Sequence, residues 1–339
     1  MNVQSGSYYE TEQLVVMLES VINSHKAFQN VKLFHWESVF KLAEFHDVTN
    51  MAYYAVLGMD FKIPADSRSK FEASYRRAVT SSEELKNIVE AVLWKFESAR
   101  HHILLTGSYS YLPYYGREEM GETKKAEFYI EKGRQGIVQE LMYRLDFIPE
   151  YRGDDRTVYE RGAIRLEFIE KWRSISRRTE KYFSRPVSSW PTCEGYHYVH
   201  KMKPEDAYIR QICDFAVDFA VGLPRLRNFV NFWLFYSGNN QLLNYRFLNK
   251  QLKKLRLSDF SGHILCLVAF WFGRIQIPLA QEDACLELAR FVFSRGREGR
   301  EILRKDLPHG SFQEEEELRE PGKKRKKFFF WKNLTFRHK

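Results

Sequence analysis

Three short segments hold the residues best suited to chemistry: Leu105-Thr106-Gly107-Ser108, then Lys125-Ala126-Glu127-Phe128 starting 17 residues after Ser108, and later Leu166-Glu167-Phe168. In an extended chain, side chains at i and i+2 share one face, so Lys125 and Glu127 project together if this segment is a strand. Carboxylates contributed by neighbouring strands make an oxygen-rich site for divalent cations. A Gly-Ser turn after a strand offers backbone N–H groups to phosphate oxygens, and glycine permits close approach. Each pattern is short. Glutamate on a half-exposed strand commonly just faces water, and Gly-Ser commonly just turns the chain. The order in which the three occur is the stronger signal.

Other ligand-type residues are scattered. His101-His102 precede an apolar run, and Cys193, His197 and His200 lie within one loop-like segment. A fourth ligand is not evident, so no zinc site is expected. The four cysteines are far apart with no CxxC pair, which gives no disulfide framework and suits a reducing compartment. The start, MNVQSGSYYETEQ, has no basic-then-apolar leader, and the apolar stretch His263 to Phe272 is too short to span a bilayer. The expected location is the cytoplasm.

The elements that must position these residues follow from periodicity. Helical spacing marks residues 9–29, 35–58 and a long segment capped near Asp66 or Ser67 that runs to Ser98. The period then shortens. His102 to Thr106 and residues 124–130 suit strands, Gly133 to Leu145 suits a helix, and Thr157 to Glu160 with Ala163 to Trp172 suit a hairpin turning at Arg161-Gly162. From Pro204 nearly everything is helical: 204–221, 224–236, 243–256, 259–272 and 280–294. The fold class is therefore α+β: a small mixed sheet flanked by an N-terminal helical segment and a helical C-terminal half. The expected division is 1–100 (helical), 101–185 (sheet core), 204–304 (helical) and 305–339 (acidic linker and basic-aromatic tail). The Pro/Ser/Gly-rich stretch 184–203 lies between the second and third. Aromatic rows at Phe229, Phe232, Trp233, Phe235 and at Phe270, Trp271, Phe272 read as core.

The apolar-Gly-Ser turn, the Lys125-Ala126-Glu127 strand and the later Glu167 resemble, in order and spacing, the polymerase-β-like nucleotidyltransferase superfamily. The closest resemblance is to the bacterial uncharacterised nucleotidyltransferase-like family, over roughly residues 30–300. That resemblance implies a nucleoside triphosphate (NTP) substrate, Mg2+ as cofactor, and transfer of a nucleotidyl group to the hydroxyl of an acceptor that the sequence does not identify. It assigns Glu127 and Glu167 as catalytic metal ligands, and Gly107, Ser108 and Lys125 to the bound nucleotide. The match departs from the family pattern at Lys125, where the first acid of an acidic-apolar-acidic strand belongs. Replacing Asp by Lys changes the local charge by about two units and repels a cation. The family's lysine before the glycine is Thr106 here, and its histidine after the third acid is missing. The metal site is thus degenerate. Arg227 and Asn231, four apart on one helix, stand where the family tends to carry Arg and Asp, and read as a helix-surface pair near the core.

The net charge of +9 is a tail property: residues 321–339 hold eight Lys/Arg and no Asp/Glu, leaving the rest near +1. Global nucleic-acid binding thereby loses most of its support. The basic-aromatic stretch 323–337 suits an anionic membrane surface, where each basic residue adds about 1 kcal/mol. It also suits packing back onto the protein and, as the lesser option, stacking on single-stranded nucleic acid. Three classes of function remain: a nucleotidyltransferase, active or silenced; a non-enzymatic nucleotide- or partner-binding module; and a peripheral membrane protein.

Overall fold

The structure, a computed structural model, describes residues 4–25, 35–59, 63–153 and 155–293. The expected tail interaction at 323–337 and the linker at 305–325 lie outside the described residues. The chain forms two compact units. The first takes the described residues up to Ala73, Gln211–Trp233 and those from Asn249 on; the second takes Ser74–Arg210 and Leu234–Leu248. Four helices contribute residues to both: α4 (Ala65–Ser98), α7 (Pro204–Val221), α8 (Leu226–Asn239) and α9 (Tyr245–Leu255).

In the first unit, α1 (Gln4–Ile22) packs on α2 (Trp36–Phe45), α3 (Thr49–Leu57) and α10 (Ser258–Gly273). The 35–58 stretch is two helices rather than one, because Asp47 turns left-handed with φ 57° between them. Two arginines collect the carbonyls exposed at that break. Arg225 donates to Phe45 O at 3.1 Å and pairs with Asp47 Oδ2 at 2.6 Å, while Arg227 Nε donates to Asp47 O at 2.8 Å. Arg227 also reaches Asn50 Oδ1 at 2.8 Å. Arg227 and Asn231 are both buried, so the pair expected on the helix surface is instead internal and structural. The aromatic rows are mostly core: Phe229 contacts Phe215 at 4.6 Å and Trp271 at 5.1 Å between centroids, whereas Phe270 faces outward. Among the described residues, no helix is long and apolar enough to cross a membrane.

The second unit is built on a six-stranded mixed sheet. Its strands are β1 (Ile103–Thr106), β2 (Lys125–Ile130), β3 (Ile148–Arg152), β4 (Arg156–Arg161), β5 (Ile164–Ile169) and β6 (Val199–His200), in the order β3-β4-β5-β2-β1-β6. β2 runs parallel to β5 and antiparallel to β1. The β4–β5 hairpin turns at Gly162, whose φ of +59° suits glycine. β5 ends at Ile169, three residues short of the expected Trp172.

Alternation along the strands separates two faces. Ile103, Ala126, Phe128, Ile130, Leu166 and Phe168 point into a core completed by Leu85, Val89, Val92 and Phe96 of α4 and by Val138 and Met142 of α5 (Gln135–Arg144). Phe128 and Phe168 stack at 5.0 Å. The opposite face carries the polar set: Thr106, Lys125, Glu127, Arg165 and Glu167. Helices α4 and α5 thus cover one side; on the other, the polar row lies beside Tyr129, which stacks on Trp172 at 4.5 Å, and Trp172 meets Phe183 of the helix Arg177–Phe183.

Candidate nucleotide site

The register brings the two acids together. Glu127 and Glu167 are Cα partners on the parallel strands β2 and β5, and Thr106 is the partner of Glu127 on β1. Partners in adjacent strands project from the same face, so Thr106, Glu127 and Glu167 form one row across three strands. Lys125, two residues earlier on β2, shares that face. It lies toward the end where the chain leaves β1 into Gly107 and Ser108.

Gly107 is positioned by what stands beside it. Its φ is 68° and ψ −167°, a region essentially reserved for glycine. A Cβ built there would lie 3.0 Å from Glu127 Cβ and 3.7 Å from Glu127 Oε1. The turn and Glu127 are therefore in contact, and the missing side chain is what allows it. Ser108 opens a 3-10 turn, Ser108–Tyr114, pinned where Ser110 Oγ donates to Gly107 O at 2.7 Å. Tyr111 and Tyr114 of this turn rest on Phe235, at 5.9 and 5.6 Å.

Glu167 is almost wholly buried and is held by two cations. Arg156 Nη1 donates to Glu167 Oε1 at 3.3 Å, and Lys125 Nζ lies 3.8 Å from Glu167 Oε2. The Arg156 and Glu167 side chains are 10% and 4% exposed, whereas that of Lys125 is 43% exposed. Arg156 also covers the Tyr151 ring at 5.2 Å. No sequence motif pointed to Arg156. The signal that existed was its place opposite Ile169 in the hairpin, two residues past Glu167 and so on the same face. Further along, Arg165 lies 3.1 Å from Glu150 and 4.0 Å from Glu160. Burial, reinforced by Glu150, pushes the Glu160 carboxyl up, against the pull of Arg165.

The histidines and Cys193 are engaged differently. His200 Nδ1 lies 2.7 Å from Trp190 O. A carbonyl only accepts, so this nitrogen carries a hydrogen, and His200 Nε2 lies 2.8 Å from His102 Nδ1. Both ring nitrogens of His200 are committed. Burial pushes the Cys193 thiol up.

A mixed sheet that sets an acid row beside a glycine turn, opposite the face packed by α4 and α5, suits the nucleotidyltransferase type of fold. The chain belongs to the family described as uncharacterised nucleotidyltransferase, whose model matches residues 32–273. No curated protein matches it. The chain is also similar to the solution structure of the antibiotic-resistance factor ANT(2'')-Ia, with 12% identity, a TM-score of 0.40, and coverage of 53% of this chain and 95% of that one.

The metal that such a fold implies meets a poor donor set here. A two-metal site needs carboxylate oxygens free to bind cations. Glu167 spends its oxygens on Arg156 and Lys125, and the position two residues before Glu127 holds an ammonium. Among the described residues there is no group of three or more His, Cys, Asp or Glu suited to a metal ion. The residues present do not fit a pair of divalent cations.

Proposed function

We propose that this protein binds the polyphosphate of a nucleotide on the row formed by Gly107-Ser108, Lys125, Glu127 and Glu167, and that it acts there as a binding module rather than as a two-metal transferase. One observation carries this reading: the Gly107 turn lies against Glu127, which is in register with Glu167, and the cations at this row are a lysine and an arginine of the chain itself. The Gly-Ser turn supplies backbone N–H groups to phosphate oxygens. Lys125 supplies the charge. The family membership supports a nucleotide as the ligand class.

The alternative within the same fold is residual nucleotidyl transfer to an acceptor hydroxyl, with Glu127 and Glu167 as the catalytic acids. Incubation with each labelled NTP, Mg2+ or Mn2+, and cell extract separates the two. Saturable nucleotide binding with no transferred label supports the binding module. Label transfer abolished by Glu127→Ala would establish the enzyme and overturn the proposal.

A further inference from the structure

We infer that Arg156 and Lys125 divide between them the work a metal does in such a site: Arg156 holds Glu167 in place, and Lys125 exchanges from Glu167 to the incoming phosphate, so that binding needs no divalent cation. This rests on the nucleotide reading above.

The two contacts to Glu167 differ in kind. The Arg156 guanidinium is within hydrogen-bond reach, nearly buried, and backed by the Tyr151 ring. A packed planar cation of this sort has little freedom to leave. Lys125 Nζ stands at 3.8 Å, farther than the 3.3 Å of Arg156 and too far for a hydrogen bond, on a flexible stem that is 43% exposed. It is the contact that is easier to give up. It also sits at the strand end nearest Gly107 and Ser108.

Giving it up leaves no buried charge stranded, because Arg156 stays on the carboxylate. That is the purpose of having two cations on one acid. Charge balance points the same way. Within the row, Lys125 and Arg156 equal Glu127 and Glu167 in number, and both cations lie on Glu167; Arg165 further along is engaged by Glu150 and Glu160. A divalent ion arriving at the Glu127–Glu167 row therefore meets two cations beside its two carboxylates. An arriving phosphate meets an ammonium able to turn toward it. Arg156 is thus a positioning residue: it acts on phosphate by freeing Lys125.

Calorimetric titration of the full chain with ATP and with inorganic triphosphate, each in EDTA and in Mg2+, tests the division. Wild-type affinity in EDTA should lie within about threefold of that in Mg2+, and Lys125→Met should lose about tenfold or more in EDTA. Arg156→Met makes Lys125 the main counter-ion of Glu167, so phosphate binding should fall. The double variant R156M/E167Q should recover it, because a neutral residue 167 no longer claims the ammonium. A merely structural Arg156 would not give that recovery at equal thermal stability. Wild-type binding that collapses in EDTA, a Lys125→Met variant that binds as wild type, or no recovery in the folded double variant would each overturn the inference. No binding of either ligand under any condition would overturn the nucleotide reading itself.

Discussion

Arg156→Met should destabilise the second unit by about 3 kcal/mol, and Glu167→Gln should restore most of that loss. Breaking a buried ion pair by removing one partner costs about 3–5 kcal/mol, because the remaining charge is left in a low-dielectric place. Glu167 meets that condition, since its side chain is 4% exposed. Lys125 at 3.8 Å stays behind as a looser, half-solvated partner, which sets the expected value at the lower end of the range. Methionine keeps much of the apolar contact that the arginine stem makes over Tyr151, so lost packing is a minor part. The same logic makes Glu167→Gln alone costly, because it strands the buried guanidinium. The pair should therefore show a coupling of about 2 kcal/mol or more in a double-mutant cycle. Urea unfolding followed by far-UV circular dichroism and by tryptophan emission gives the four free energies. An Arg156→Met loss under about 1 kcal/mol, or a double variant no more stable than the single, would refute the claim that this pair is a buried charge lock.

Three further outcomes follow from the described contacts. Gly107→Ala forces an L residue into a region worth about 1–3 kcal/mol of strain and sets its Cβ against Glu127 Cβ at 3.0 Å; the melting temperature should fall by several degrees, and an unchanged melt would show that the turn relaxes freely. Glu97 accepts N–H hydrogen bonds from His197 and Tyr198 at 3.0 and 2.8 Å. Burial pushes its carboxyl up, but these bonds outweigh it and hold it below the usual range. Glu97→Gln should therefore cost about 1 kcal/mol near neutrality, with the gap to wild type closing as pH falls below about 4.5, where the unfolded carboxyl also protonates; a gap independent of pH would contradict this. Glu160 has the opposite sign. Its carboxyl is pushed up, so the native state favours the protonated form and loses stability as pH rises through that titration. Glu160→Gln, which does not titrate, should gain on wild type in melting temperature between pH 4 and pH 7, and a gain that shrinks over this interval would reverse the assignment.

Much of the site's skeleton is legible in the sequence because strands alternate. Phe128 and Phe168 flank Glu127 and Glu167 with apolar side chains, which fixes the faces once both segments are strands. The glycine turn was legible for the same local reason. The pairing register is another matter: nothing within residues 124–130 or 163–169 says that Glu127 lies beside Glu167 rather than one step away, since that depends on how β5 is drawn in by the hairpin. Arg156 stayed hidden because an arginine at a strand start matches no motif, and its meaning comes from a carboxylate eleven residues on. β3 was missed because Pro149 and an exposed Ile-Pro-Glu-Tyr-Arg sequence argue against a strand; as an edge strand with a register shift between Pro149 and Tyr151 it tolerates a residue that cannot donate to the ladder. The break at Asp47 was invisible for a different reason. A left-handed residue inside an apolar-periodic stretch leaves the pattern intact, and the arginines that stabilise it come from nearly 180 positions later.

The interleaving of the two units has a consequence for how the chain comes off the ribosome. The second unit has its sheet once Arg210 has emerged, yet it also includes Leu234–Leu248, where Phe235 supports the tyrosines behind the glycine turn. At a synthesis rate of about 5–20 residues per second, the nascent acid row waits a few seconds for its aromatic prop. During that interval Tyr111 and Tyr114 of the loop after Gly107 lack the Phe235 ring they rest on in the finished fold.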